Sequence, residues 1–546
     1  MRTIPRILLL LLALLAILLA CVDVNQTPGA TQQATATPFK EHTVQGLPRS
    51  QTLVLADDEP VTLDPAIAQE TASLQYVSEI FTGLVRLDDS MRVAPDLAER
   101  WDVLDNGTRY VFHLKPNAKF HSGRIVTAQD VVFSLERATD PATASPTAAT
   151  YLGDIVGVGD KLSGKASKIS GLRALDNATV EIRIDGPKAY FLAKLSSPVA
   201  FVVDRDNVAK GSDWYRQPNG TGPFKLKEWN KEQDLVLERN QEFYGQATGV
   251  DYVLFRFLAG SPSQMYDNGE IDITYVGPGD LDRVLDPQSP LKQDLQVYPE
   301  LTIDYVGFNA AKPPFDDPLV RRAFAMAVDT GKLGEMVHQG HYTSAKGFIP
   351  PGLPGYDPNV AGIPYSPDDA RKLLAQSSYG SADKLPPIVY TAPGIGGDPS
   401  PIVSAMVEMW RANLGVEVTV RQIQPDTYYY RLPDEVGNLF DFGWAADYPD
   451  PENILDVLFH TGTANNMGGY SNRQVDTLLE KARTEQEVAQ RLAMYQQVQQ
   501  MLLDDAAAIS LWHGVTYVLV KPYVKDFAIS PSGRPALERV RLELGT

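Results

Sequence analysis

The densest chemistry in this chain lies between Asp441 and Asn453, in the run DFGWAADYPDPEN. It sets Trp444 and Tyr448 among four carboxylates, Asp441, Asp447, Asp450 and Glu452. Paired carboxylates beside aromatic rings can do general acid–base work on a sugar. The same groups can hold a cationic or hydrogen-bonding ligand against aromatic walls. Pro449 and Pro451 allow a third reading, an exposed turn whose carboxylates are simply solvated. Residue types alone leave all three open. One geometric condition applies: a continuous strand would put Trp444 and Asp447 on opposite faces, so a bend must intervene if both line one site.

Other chemistry is scarce. The chain has no G-x-S-x-G elbow, Walker A loop, H-E-x-x-H or C-x-x-C. His338 and His341 have a spacing that could place two imidazoles on one metal, but Gly334 and Gly340 beside them read as a helix end and loop. His113 and His121 flank a strand and turn, where partly buried structural histidines are expected. No metal or cofactor is assigned.

The elements that must position the acidic run belong to an exported protein. Arg2 and Arg6 precede an apolar stretch from Ile7 to Ala20 that is short for a membrane span, and Leu18-Leu19-Ala20-Cys21 has the form of a lipoprotein cleavage site. Residues 1–20 therefore read as a signal peptide, and Cys21, the only cysteine, as the lipid attachment point. Residues 21–50 are the tether, with NQTPGATQQATATP too polar to bury a core. The chain has 546 residues and a formal charge of −19, more negative still once Arg2 and Arg6 are removed. That length implies two or three domains. That charge excludes nucleic acid as a partner and keeps the body off anionic lipid, leaving the anchor to hold it at the membrane.

Periodicity predicts mixed strands and helices, hence an α/β protein with more than one sheet. Leu53 and Leu55 alternate as in a strand, and 69–85 carries apolar residues at helical spacing. RYVFHL, from Arg109 to Leu114, alternates cleanly, and Thr127 stands as N-cap of the helix AQDVVFSLER. Strands are also predicted at 179–184, 235–238, 252–257 and 301–308. Helices are predicted at 318–328, at 401–414 before Gly415, and at 475–504 with a break near 484–487. A single strand is predicted over 509–520.

Several stretches together resemble the extracytoplasmic solute-binding proteins of ABC importers, in the dipeptide/oligopeptide/nickel-binding family. The longest runs from Ala98 to Arg137, with A-x-x-W, D-x-G-x-x-Y-x-F-x-L, K-F-x-x-G and T-A-x-D-V-x-F-S in order. Upstream stands Glu59-Pro60-x-x-Leu63-Asp64-Pro65. Downstream come NGTGPFKL, VGFNAAKPPFDDPLVRRAFAMAVD, LGVEV, GWAADYPDPENIL and ISLWHG, so the resemblance covers about residues 50–525.

The resemblance implies a type II periplasmic-binding-protein fold: two lobes, a hinge and an extra N-terminal subdomain. Lobe I would comprise 51–85, 220–304 and 508–546, its extra subdomain 86–219, and lobe II 305–507. It implies a non-catalytic receptor that closes on a short peptide and delivers it to a membrane permease. Asp447 would pair with the ligand's α-ammonium, with Trp444, Ala445 and Tyr448 around it and Asn309 also at the site. The backbone of Ala66, Ile67, Ala68, Gln69 and Glu70 would pair with an extended ligand. The sequence departs from long-peptide binders in one respect: nothing between Leu432 and Asp447 is Lys or Arg, whereas Asp434, Glu435 and Asp441 are acidic. A sugar or metal chelate on the same scaffold is the alternative, with Tyr428-Tyr429-Tyr430 as stacking faces or as lobe packing.

Overall fold

A computed structural model describes residues 43–88, 91–246, 248–257, 260–338, 342–530 and 533–544. Cys21, the signal and most of the tether lie outside the described residues, as do His341 and the His338 side chain. No helix among the described residues is long and apolar enough to cross a membrane.

Two large sheets form the frame. The first has seven strands in the order Phe224–Asn230, Asp234–Arg239, Tyr252–Phe257, Thr52–Asp57, Ile273–Tyr275, Val515–Val520 and Leu295–Pro299. Thr52–Asp57 is central and parallel to the strands on either side, and Leu53, Val54 and Leu55 are buried, as a strand covered on both faces requires. The second has six strands in the order Thr343–Ser344, Ala508–His513, Thr302–Phe308, Leu439–Ala445, Ile388–Pro393 and Val418–Ile423. A four-stranded antiparallel sheet, built from Ala98–Leu104, Arg109–Leu114, Thr179–Arg183 and Leu172–Ala174, stands apart from both. It has its own core, under the helix Ala128–Ala138. The Asp130 carboxylate accepts the Thr127 N–H and O–H, both at 2.8 Å, which fixes the start of that helix.

The chain passes between the large sheets twice, and the passages lie side by side. Leu295–Pro299 ends in the first sheet and Thr302–Phe308 begins in the second; Ala508–His513 ends in the second and Val515–Val520 begins in the first. Glu300 N–H donates to the Gly514 carbonyl at 3.0 Å, and Gly514 N–H donates to Thr302 Oγ1 at 2.7 Å. A β-carbon on Gly514 would come within 2.4 Å of Glu300 Oε2 and 2.5 Å of Thr302 Oγ1, so the two passages approach too closely for a side chain there. The sheet changes thus fall at 300–301 and at Gly514. Ala508–His513, expected in lobe I, pairs with Thr302–Phe308 in the six-stranded sheet, and the single strand expected over 509–520 is two strands in different sheets.

The helices follow their sequence signals closely. Thr71–Ile80, Pro318–Met326 and Pro401–Leu414 form, the last closed by Gly415 at φ 71°. The long stretch near the C-terminus splits into Arg473–Thr484 and Val488–Asp504.

Candidate functional site

Asp64 organises the turn before the first helix. Its Oδ1 accepts the Ala66 N–H at 3.0 Å, and its carbonyl accepts the N–H groups of Ile67 and Ala68, both at 3.0 Å. Arg137, at the end of the Ala128–Ala138 helix, clamps the Asp64 carboxylate with both terminal nitrogens, one at 2.9 Å. Three of the five backbone donors expected to meet a ligand are therefore already used. Among the described residues, the N–H groups of Gln69 and Glu70 make no hydrogen bond, and Gln69 is exposed. Glu70 turns its own carboxylate back to Val61 N–H (3.1 Å) and the Ser73 hydroxyl.

On the opposite side, Leu439–Ala445 pairs antiparallel with Thr302–Phe308, bringing Trp444 beside Ile303. The strand stops at Ala445, and the bend that follows meets the condition set by the sequence. Asn453 holds that bend. Its Oδ1 accepts Trp444 Nε1–H at 3.1 Å and Asp447 N–H at 3.0 Å, so one fully buried amide joins the two residues expected to share a site. Trp444 also stacks on Phe442, with ring centroids 6.5 Å apart and planes 15° apart.

The Asp447 carboxylate lies where three parts of the chain meet. One oxygen accepts the Tyr151 hydroxyl; the other lies 3.6 Å from the Arg534 guanidinium. Burial pushes this carboxyl above its ordinary range, against the opposing pull of Arg534 and Tyr151. Asp447 also walls a cavity of about 440 Å³, shared with residues around 78–96, 115, 243–246 and 530–539.

Two expected site residues lie elsewhere. Tyr448 has no exposed surface: it packs in the core of the four-stranded sheet's subdomain, stacked on Tyr190 with centroids 6.4 Å apart, and its hydroxyl donates to Glu452. It is a packing residue, not a cleft wall, because the strand ends at Ala445 and the bend that follows brings the Tyr448 ring against Tyr151 and Tyr190. Asn309 follows Phe308, which pairs with Leu439, whereas Trp444 and Ala445 are at the other end of that strand. Six residues of strand, about 20 Å, separate them. The Asn309 side chain donates to the Gly437 carbonyl at 3.2 Å and serves the sheet's far end. Ala445 is exposed at the strand's end, opposite Thr302.

The tyrosine cluster divides between the roles considered for it. Tyr428 is buried and donates to backbone carbonyls, whereas Tyr429 and Tyr430 are 56% and 60% exposed. His121 is structural: its Nδ1 accepts Gly220 N–H, its Nε2–H donates to the Gly222 carbonyl, and burial pushes it down to about 4. Asn453, Tyr151 and Arg534 were missed by sequence reasoning. Tyr151 is 296 residues from Asp447, a pairing with no local signal.

Residues 92–466 match the family described as bacterial extracellular solute-binding proteins, family 5 Middle. The chain is 31% identical to YgiS of Escherichia coli K12, named a probable deoxycholate-binding periplasmic protein, over 86% of this chain and 89% of that one. It is 30% identical to the periplasmic oligopeptide-binding protein OppA of the same organism, over 88% of this chain and 90% of OppA. The solved E. coli murein tripeptide binding protein MppA superposes with a TM-score of 0.78 at 27% identity, covering 90% of this chain and 99% of MppA. The two hinged sheets with a third subdomain are thus the type II periplasmic-binding-protein fold.

Proposed function

This chain belongs to the bacterial extracellular solute-binding proteins of family 5, and from that premise we propose that it is the lipid-anchored receptor of an ABC importer for short peptides. OppA and MppA carry oligopeptide and murein peptide in their names. The observation that supports a peptide here is Asp447: a half-buried carboxylate between the lobes, already facing a guanidinium at 3.6 Å. A ligand ammonium would take the place of Arg534, and a desolvated charge pair of this kind disfavours neutral ligands. The free N–H groups of Gln69 and Glu70, with the exposed backbone beside them, would pair with an extended main chain whatever its side chains.

The lobes in this reading are the bodies built on the seven- and six-stranded sheets, with the four-stranded subdomain on the first and the hinge at 300–301 and 514. Cys21 carries the lipid, a permease receives the solute, and binding rather than turnover is the task. A sugar is the second reading, supported by the exposed rings of Tyr429 and Tyr430.

Mass spectrometry of what denaturation releases from purified protein tests the assignment. A ladder of short peptides is expected; a single sugar or chelate would overturn it. For the anchor, Asp447→Asn is expected to weaken a released peptide about 10- to 100-fold, the size of one charged hydrogen bond. Unchanged affinity would remove Asp447 from the role.

A further inference from the structure

Tyr448 is attached to one body and buried in another. Its segment follows the strand Leu439–Ala445 and leads into the helix Glu452–Phe459, whose Ile454, Leu455 and Leu458 lie in the core of the six-stranded sheet's body. The Tyr448 ring lies instead in the core of the four-stranded sheet's subdomain, where it is the one buried residue, among those described, from beyond Val202. Tyr190 stacks on it with planes 21° apart, and Tyr151 meets it edge-on with centroids 6.4 Å apart. Around this socket the Lys194 ammonium lies 3.5 Å from Glu452, and the Arg491 guanidinium lies 5.6 Å from the centre of the Tyr190 ring. The chain joins the subdomain to the six-stranded body only through the seven-stranded sheet and the passages at 300–301 and 514, so a rotation there acts on this contact.

The polar groups at the socket are paired so that it can part. The Tyr448 hydroxyl donates to Glu452 in its own segment, and Arg491 holds Asp450 of the same body. Lys194 also holds Asp154 of the subdomain, at 3.0 Å, and Lys188 sits on the same carboxylate. Parting the bodies would withdraw an apolar ring and break the Lys194–Glu452 pair, yet each charge would keep a partner on its own side. None of Tyr151, Tyr190, Lys194, Tyr448, Glu452 and Arg491 lines the cavity beside Asp447. We propose that Tyr448 is a latch, a ring of one lobe that enters the other lobe's subdomain as the lobes shut and leaves it as they open. The proposal rests on the receptor reading. Because the latch lies outside the cavity, it favours the shut form by the same amount whatever solute is bound, which suits a receptor whose main-chain contacts tolerate different side chains.

Nitration of the purified full-length protein by tetranitromethane, mapped by mass spectrometry at low conversion, tests this, since the reagent must reach the ring. Tyr495, buried in the six-stranded body's own core, is the internal reference for reaction through unfolding, and exposed Tyr430 is the reference for free access. Opening of the latch is expected to nitrate Tyr448 at least about tenfold faster than Tyr495. Lys194→Met, which leaves Asp154 with Lys188, is expected to speed Tyr448 several-fold further and to leave Tyr495 unchanged. A Tyr448 no faster than Tyr495, or a rate that Lys194→Met does not move, would overturn the proposal. Should that variant fold poorly, the ratio of Tyr448 to Tyr495 in the unsubstituted protein decides alone. The readout uses no ligand, so it fails separately from the peptide assignment. Released peptides with a protected Tyr448 would leave the receptor standing and remove the latch, whereas a reactive Tyr448 with a released sugar would uphold the latch and remove the peptide.

Discussion

Asp441→Asn is expected to make the protein more stable at alkaline pH and to remove part of its pH dependence. Burial, with the nearby Asp304 carboxyl, pushes Asp441 up to about 7, against the Tyr390 hydroxyl that donates to it. Asp304 is itself pushed up to about 6 by burial. A carboxyl whose folded value exceeds its unfolded one binds its proton more tightly in the native state. Its stabilising contribution is therefore complete below the unfolded value near 4 and is lost as pH rises through 7. At about 1.4 kcal/mol for each pH unit between the two values, keeping Asp441 ionised at pH 8 costs at most about 4 kcal/mol. Asparagine keeps an oxygen for Tyr390 and carries no charge, so it removes about 4 kcal/mol of cost at pH 8 but only about 1.5 kcal/mol at pH 5, where just the unfolded chain ionises Asp441. Urea unfolding at the two pH values checks this. The variant's advantage over the unsubstituted protein is expected to be larger at pH 8 than at pH 5 by at least about 1 kcal/mol. The chain's overall acidity also favours the folded state at lower pH, but equally for both proteins, so the difference isolates Asp441. An equal offset at both pH values would refute the argument that burial charges this residue at a cost.

Arg137→Ala leaves the Asp64 carboxylate, which is 7% exposed, without its cation, and is expected to cost about 3–5 kcal/mol in chemical unfolding. Gly514→Ala forces apart the Glu300 and Thr302 oxygens, and small-angle scattering is expected to show the two lobes adopting a different mean opening. Arg534→Gln frees the Asp447 carboxylate from its internal cation, and calorimetry is expected to show ammonium-bearing peptides binding up to about tenfold more tightly.

Local rules were enough wherever a residue's task is local. Thr127 caps its helix with Asp130, Gly415 ends its helix at positive φ, and the break in the last helical stretch falls at 485–487. The bend after Ala445 is what strand geometry demands if Trp444 and Asp447 are to line one site. What stayed hidden depends on pairings between distant segments. Ile509 to Val520 alternates like one strand, and nothing in its composition tells that Gly514 hands it from one sheet to another; that follows from Glu300 and Thr302, more than two hundred residues earlier. Tyr448 is chemically as fit for a cleft wall as Trp444, and only the positions of Tyr151 and Tyr190 decide that it packs. Asn309 belongs to a motif that matches the family well, yet register places it at the wrong end of the strand for Asp447.

In the proposed receptor, contacts of opposite sign between the two lobes would let one fold both hold a ligand and let it go. Tyr448 stacks on Tyr190, and Lys194 reaches Glu452 at 3.5 Å, both joining the four-stranded sheet's subdomain to the segment after Ala445. Beside them Asp447 is half-buried with its carboxyl raised by burial, so in the proposed receptor closing the lobes over it without a ligand would sacrifice hydration that Arg534, at 3.6 Å, restores only in part. Apolar contact favours the shut form and the strained carboxylate opposes it. The difference between two such terms is small enough for a ligand to reverse, because a ligand shifts the balance by the difference in its affinity for the two forms. An apolar residue at 447 would deepen the shut state and remove the opposition, at the expense of the ligand's influence over it. In the proposed receptor, a carboxylate too costly to bury alone would therefore couple occupancy to closure.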